Sequence, residues 1–494
     1  MANSLADDRP SNNAAHVGDS GTELKRTLGG FQVFAISFAF ISVAVGVFAT
    51  YGQVLNTAGP VGIWLWVIAA IGQTLVALVV AQFAARIALS GSSYQWASRL
   101  ANPKVGWLFG WLTFWYLATA VVAMDSALAS QAFMPLVGMD ENEDTARIIT
   151  VVVMIIQVVM VIASTKLLGL ITSGAVAAEI GIVVVLVLAL AAVVVFTSSG
   201  DVGNLTSRGV TEGEANYFAV GGGLMAGMLM GMTTLVGFDS AANLAEEAKD
   251  PFRSVPRAIV GSVLAAAIAG LVFLIALTVA IEDVDKVSAD GSPVAAIIRD
   301  QLGPVAERIL LAVIVFAIFG GGMVVMAACS RQAFAMARDG RFPAHKWLRK
   351  VNPRTQTPVT ATILVLVIGV VLMVALPGDA LIELLVGGTV LPAIIYGGIV
   401  ILYLVVRKRL EVREGGFSLG RFEVPVAVVA LIWVVGAIFV LVTPEEARVP
   451  VAIVLGLVAA GGLYFVKMMI FNREVLEMEP SGGDAIHLDP EPVD

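Results

Sequence analysis

The sequence predicts an all-α polytopic membrane protein with twelve transmembrane helices, on three observations. Hydrophobic residues fill 58% of its 494 positions and charged residues only 14%, with a mean hydropathy of +0.90. A soluble chain of this length would divide into several domains of ordinary charge content. The apolar residues fall in continuous runs of about 20, enough to cross a hydrocarbon core, and not in the short alternating strands of a membrane barrel. Lysines and arginines collect in alternate loops.

The first six spans are expected over Phe31–Leu55, Val61–Phe83, Trp107–Phe133, Ile148–Ala163, Leu167–Phe196 and Phe218–Ala242. The second six follow over Ala258–Ile281, Ile309–Ala337, Val359–Leu376, Leu381–Val406, Val424–Val442 and Val449–Ile470. Spans 4, 9 and 11 are the shortest. With the N-terminus inside, 24 of the 30 lysines and arginines lie on the cytoplasmic side. That predicts cytoplasmic N- and C-termini in a cell membrane. Trp64, Trp66, Trp107, Trp111 and Trp115 stand near the starts of spans 2 and 3, as interfacial anchors or packing residues.

Residues 1–24 and 474–494 are polar or acidic and read as disordered cytoplasmic tails around a transmembrane domain of 25–473. Met1–Thr22 lacks the apolar core of a signal peptide, so targeting is assigned to span 1. The net charge of −8 sits largely in tails and outer loops and gives no support to nucleic-acid binding. One cysteine, Cys329, and three scattered histidines offer neither a disulfide framework nor a metal cluster, and no cofactor is expected. No phosphate-binding glycine loop of an ATP-driven pump occurs.

Two spans carry small or polar residues where a membrane helix should be apolar. Span 1 contains Ser42-Val-Ala-Val-Gly46, and span 6 contains Gly231-Met-Thr-Thr-Leu-Val-Gly237-Phe-Asp239. They lead two five-helix halves, spans 1–5 and 6–10. A helix broken near the midplane offers free amides to an anion and free carbonyls to a cation, and is tolerated only beside a cavity. The pocket is therefore assigned to Ala44, Val45, Gly46, Thr233, Thr234, Gly237, Phe238 and Asp239.

Three carboxylates lie within spans: Asp125, Glu179 and Asp239, with no lysine or arginine at comparable depth. Such groups are functional candidates by default, because a charge in hydrocarbon is costly. Glu179, at mid-bilayer, and Asp125 are the candidates for proton coupling. Glu179 has the alternative of a protonated carboxyl bonded to a neighbouring helix. Asp125, placed nearer the outer end, has that of a hydrated or helix-capping group. Asp239 is a site or gating residue, or else a cap on the second half-helix. Glu246, Glu247, Arg253, Arg257, Arg338 and Asp339 form a candidate cytoplasmic gate, with an ordinary interfacial loop as the alternative.

The run Gly237-Phe-Asp-Ser-Ala-Ala-Asn-Leu-Ala-Glu-Glu-Ala-Lys-Asp-Pro-Phe-Arg-Ser-Val-Pro-Arg257 resembles the sixth-span signature of the amino acid–polyamine–organocation superfamily. Ala337-Arg-Asp-Gly-Arg-Phe-Pro343 is similar to its motif after span 8. Glu23-Leu-Lys-Arg-Thr-Leu-Gly-Gly-Phe31, with Gly46-Val-Phe-Ala-Thr-Tyr-Gly52, resembles the amino acid/choline/GABA permease branch. The resemblance implies a LeuT-type fold of two inverted repeats, about 31–196 and 218–406, plus two extra helices over about 424–470. It also implies a secondary permease for small, GABA-like amino acids, with choline, ethanolamine, polyamine or exchange activity as alternatives. An integral membrane enzyme is the distant alternative.

Two departures bear on the substrate. Ala44-Val45-Gly46 stands where relatives often carry a hydroxyl between glycines, and Thr233 stands where many carry an aromatic gate. Both bear on the substrate's pose, and the smaller gate points to a different or longer substrate. A sodium site would draw hydroxyls from span 8, where Ala327-Ala-Cys-Ser330 supplies one well-suited ligand, so a proton is the favoured coupling ion.

Overall fold

The computed structural model describes residues 26–140, 142–376, 388–410, 416–443 and 448–478. Ten helices are long and apolar enough to cross a membrane, and two shorter apolar helices, Gly223–Thr234 and Val359–Ala375, complete the expected twelve. Among the described residues the only β-pairing is one isolated bridge, Leu28 with Ala248.

Boundaries follow local chemistry. Span 3 begins at Pro103, behind Asn102, whose side chain accepts from the amides of Lys104 and Val105. Span 4 begins behind Asn142, which accepts from Thr145, and carries Glu143 and Asp144 at its positive end. Span 5, Thr165–Thr197, starts behind Ser164. Span 10 is described over Val390–Val406, and the predicted start from Leu381 lies outside the described residues. The predicted N-terminal tail lies outside them too. The predicted C-terminal tail opens instead with a short turn, Arg473–Leu476, in which Leu476 is buried. Arg341 holds it there by donating to the carbonyls of Val475 and Met478.

Span 8, Pro304–Arg338, is the axis of the molecule, and every residue from Gly320 to Ala337 is buried. Its glycines set the approach of its neighbours. A Cβ on Gly320 would stand 2.7 Å from that of Ala175, one on Gly321 2.8 Å from the Ala39 carbonyl, and one on Gly322 2.6 Å from Asp125 Oδ1. Spans 1, 3, 4 and 5 thus close around span 8 at one level, the membrane use of small residues. The outward faces carry exposed apolar side chains such as Val184, Leu188, Ile268 and Leu463, the surface a lipid bilayer would cover.

An unforeseen helix, Ser92–Leu100, packs under span 3, with Ser98 against Gly106. The tryptophans divide: Trp64 is 42% exposed, but Trp66, Trp107 and Trp111 are buried and donate to the carbonyls of Ala267, Arg341 and Leu457. These three pack the protein and do not anchor an interface, because the helices they start are covered there by spans 7 and 12 and the loop after span 8.

Gly321→Val should lower stability by about 1–3 kcal/mol through overpacking against span 1 backbone. Gly456→Ala, which faces open space, should be neutral. Thermal unfolding of the two variants in detergent measures the difference.

Candidate functional site

Span 1 is interrupted at one residue. Ser42 takes φ 41° and ψ 83°, between the half-helices Gly30–Ile41 and Val43–Thr57. The predicted break at Ala44–Gly46 thus lies just inside the second half-helix, in its first turn. The β-branched Val43 and Val45 resist a positive φ, which leaves Ser42 to absorb the turn. The first amides of a helix have no intrahelical acceptor. Glu179, from the middle of span 5, supplies one: its Oε1 accepts from Ala44 N at 2.9 Å and from the Ser42 hydroxyl at 3.2 Å.

Span 6 is interrupted more widely, over residues 235–239, between Leu229–Thr234 and Ser240–Asn243. Gly237 has φ 78°, and a Cβ there would stand 1.9 Å from the Phe40 ring, so glycine is required by both conformation and space. Its amide donates to the Tyr396 hydroxyl at 3.0 Å, and that hydroxyl donates to Asp239 Oδ1 at 2.8 Å. The Phe238 ring stacks on Tyr396 with centroids 4.8 Å apart. Two serines lash the breaks together: Ser37 donates to Phe238 O at 2.7 Å and Ser240 to Ile36 O at 3.2 Å.

The breaks touch, since a Cβ on Gly46 would lie 2.1 Å from the Thr234 methyl. Thr234 Oγ1 and the Tyr116 hydroxyl are buried here without a hydrogen-bond partner among the described residues. Tyr116 packs on Phe40, with 5.8 Å between ring centroids. The site thus combines helix amides, a carboxylate on a tyrosine and two unsatisfied hydroxyls.

The structure brings Ala44, Gly46, Thr234, Gly237 and Asp239 together, with Val45 half-buried beside them. Thr233 turns its hydroxyl back to Leu229 O at 2.8 Å, so its neighbour Thr234 is the free one. Asp239 precedes Ser240–Asn243 but makes no side-chain cap; Tyr396 takes that carboxylate instead. Asp125 is not hydrated near an outer end. Span 3 runs on to Val137, and Asp125 is 0% exposed, accepting from Gln157 Nε2 at 2.8 Å between spans 3, 4 and 8.

The candidate gate divides in two. Glu247 pairs with Arg331 at 2.7 Å, both side chains 0% exposed, and Thr165 donates to the same carboxylate. Glu246 pairs with Arg338 at 3.2 Å and accepts from Ser90 N, while Asp339 accepts from Tyr94. Arg253 and Arg257 join neither pair; they are exposed on the first turns of span 7. Span 8 therefore carries a fully buried cation, Arg331, on the N-terminal side of the breaks. Tyr116, Tyr396, Ser37 and Arg331 all went unpredicted. Arg331 had a signal, a cation within a helix otherwise read as a span.

Two interrupted helices packed break to break inside a bundle of apolar helices long enough to span a membrane are the arrangement of a membrane transporter. The chain belongs to the amino acid permease family, whose family model, described as "Amino acid permease", matches residues 28–448. It is 28% identical over 440 residues to the amino-acid permease BAT1 of Arabidopsis thaliana, covering 84% of each chain. It is 28% identical over 356 residues to a GABA-specific permease of Saccharomyces cerevisiae, covering 69% of this chain and 62% of that one. A branched-chain amino acid permease, BcaP of Lactococcus lactis, is 26% identical over 383 residues, covering 71% of this chain and 76% of the other.

Removing one member of a buried ion pair strands the other charge. Arg331→Met should therefore cost about 3–5 kcal/mol, and Arg331→Met combined with Glu247→Gln should recover much of the loss. Melting temperatures of the two single variants and the double variant measure the coupling.

Proposed function

We propose that the protein is a secondary active permease for small amino acids and related GABA-like compounds, coupled to protons and working by alternating access. The observation that carries this reading is the Glu179 carboxylate on the amide of Ala44, at the break in span 1. The amide that a substrate carboxylate would seek is held by a group that can take up a proton.

The linkage has a definite sign. Ionised Glu179 is the stronger acceptor and keeps Ala44 N and the Ser42 hydroxyl. A proton on Glu179 weakens that hold and frees the helix end for the substrate carboxylate. Substrate binding therefore favours protonated Glu179, and affinity rises as the entry side is acidified. The substrate's ammonium end meets Asp239, with Thr234 and Tyr116 to orient it. The separation of an anion site on span 1 from a carboxylate on span 6 suits a zwitterion. The names of the similar permeases, amino-acid, GABA-specific and branched-chain, agree with this class.

Sodium is the poorer coupling ion. Ser330 Oγ donates to Ala327 O and accepts from Arg331 Nη1 at 3.1 Å, so a guanidinium already claims the span 8 hydroxyl. Arginine and lysine placement supports a cytoplasmic N-terminal face in a cell membrane. The Glu247–Arg331 and Glu246–Arg338 pairs then form the inner seal. One specific observation favours a second reading, transport of a simple amine: Asp239 holds a cation equally well without a carboxylate on the ligand. Competition of GABA uptake by ethanolamine and putrescine separates the two.

Proteoliposome uptake of GABA and amino acids under an imposed pH gradient tests the coupling. Glu179→Gln should abolish gradient-driven accumulation and retain counterflow exchange, and wild-type pH dependence in that variant would reject the proposal. Tyr116→Phe, which removes a hydroxyl without a partner among the described residues, should weaken substrate binding about tenfold while leaving the melting temperature unchanged.

A further inference from the structure

The charges expected in one gate separate in the structure, and the set left over forms its own site. On the N-terminal face a cavity of about 470 Å³ opens between the starts of spans 1 and 7. Gly29, Gly30, Lys249, Arg253, Ser254 and Arg257 line it, with Phe34 at its apolar end. The nearest acidic pair is engaged elsewhere: Glu246 and Glu247 bond to Arg338 and Arg331. None of the described ion pairs includes Lys249, Arg253 or Arg257. Among the described residues Asp250 is the one carboxylate in the wall, so three cations face one anion there.

Backbone adds to the field. Span 1 begins at Gly30 and span 7 at Pro251, so two helix N-termini meet at the cavity. Gly30 has open space where a side chain would stand, which lets a ligand reach the first turn of span 1. The segment between them is pinned, because Thr27 and Leu28 donate to Glu247 O and Lys249 N donates to Leu28 O. The cavity is therefore built on fixed backbone.

The surroundings say what kind of anion fits. Along span 7 the exposed face reads Arg253, Arg257, Leu264, Ile268 and Val272, at steps of four and seven that stay on one side of a helix. Phe31, 57% exposed, flanks it on span 1. A basic end thus runs without interruption into an apolar, lipid-facing stripe. A phosphate carrying acyl chains satisfies both parts, whereas a free phosphate or an acidic peptide satisfies only the first.

We propose that this cavity binds the headgroup phosphate of an anionic phospholipid from the adjacent leaflet, with its chains along the exposed face of span 7. Basic pockets between membrane helices suit such headgroups. The site clamps the segment 247–249, which also carries Glu247, so lipid occupancy steadies the ion-paired layer beneath the breaks. This assignment holds for either orientation of the protein in the membrane.

The test uses the full chain purified in detergent, with phosphatidylglycerol, phosphatidylcholine or inorganic phosphate added. Retained lipid is counted by native mass spectrometry and stabilisation is read as a melting-temperature shift. Phosphatidylglycerol should be retained in preference to phosphatidylcholine and should raise the melting temperature. Arg253→Gln with Arg257→Gln should weaken that binding about tenfold or more, since each basic residue near the membrane contributes about 1 kcal/mol. Both side chains are exposed, so stability without lipid should not change. Arg253→Lys with Arg257→Lys should keep most of the preference. Equal retention of the two lipids, or unchanged phosphatidylglycerol binding in the Gln variant, would overturn the site. Inorganic phosphate giving the full shift at equal concentration would overturn the lipid assignment in favour of a free-anion site.

Discussion

Backbone cannot be left unsatisfied inside a membrane, and the rest of this structure is arranged around that constraint. Breaking spans 1 and 6 frees amides and carbonyls far from water. The protein answers with side chains from other helices: Glu179 on Ala44 N, Tyr396 on Gly237 N, Ser37 on Phe238 O and Ser240 on Ile36 O. Two of these four join the broken helices to each other. The other two come from spans 5 and 10, so the breaks are held by corresponding helices of the two halves. Among the described residues, the buried hydroxyls of Thr234 and Tyr116 are left without a partner beside the breaks.

Close approach makes that satisfaction geometrically available. Hydrogen bonds between helices need axes nearer than large side chains allow, and in lipid there is no hydrophobic drive to force them together. Gly46 against Thr234, Gly237 against Phe40 and Gly320–Gly322 against spans 1, 3, 4 and 5 remove the obstruction. Filling any of these notches would push the helices apart and leave the amides at the breaks without acceptors.

The architecture was legible because hydropathy and helix length are local properties. All twelve predicted spans have a helical counterpart among the described residues, and both interruptions fall in the helices named for them. The site was legible only along the chain. Gly237 and Asp239 announced themselves by composition, yet their partner Tyr396 lies 157 residues from Asp239, and nothing in a window around an apolar tyrosine marks it as a capping group. Thr233 and Thr234 are adjacent, and only the helical rotation decides which hydroxyl turns back on its own backbone. Asp125 was misplaced because its helix end was set four residues short, at Phe133 where the structure runs to Val137. Arg331 lies inside the predicted span 8, Ile309–Ala337, but its partner Glu247 comes from beyond the predicted end of span 6, and no local pattern pairs the two.

That ion pair ties the site to the face beneath it. From Asp239 to Glu247 the chain is one short, buried segment, with Ser240–Asn243 and Ala245–Glu247 separated by a single residue. Its upper end holds Tyr396 and its lower end holds Arg331 and Thr165. A ligand that draws Asp239 away from Tyr396 must move this segment against the fully buried Glu247–Arg331 pair, which tolerates little displacement before its charges lose their compensation. Any displacement of Asp239 is thereby transmitted to a pair whose charges are fully buried, so this segment and span 8 are bound to move together.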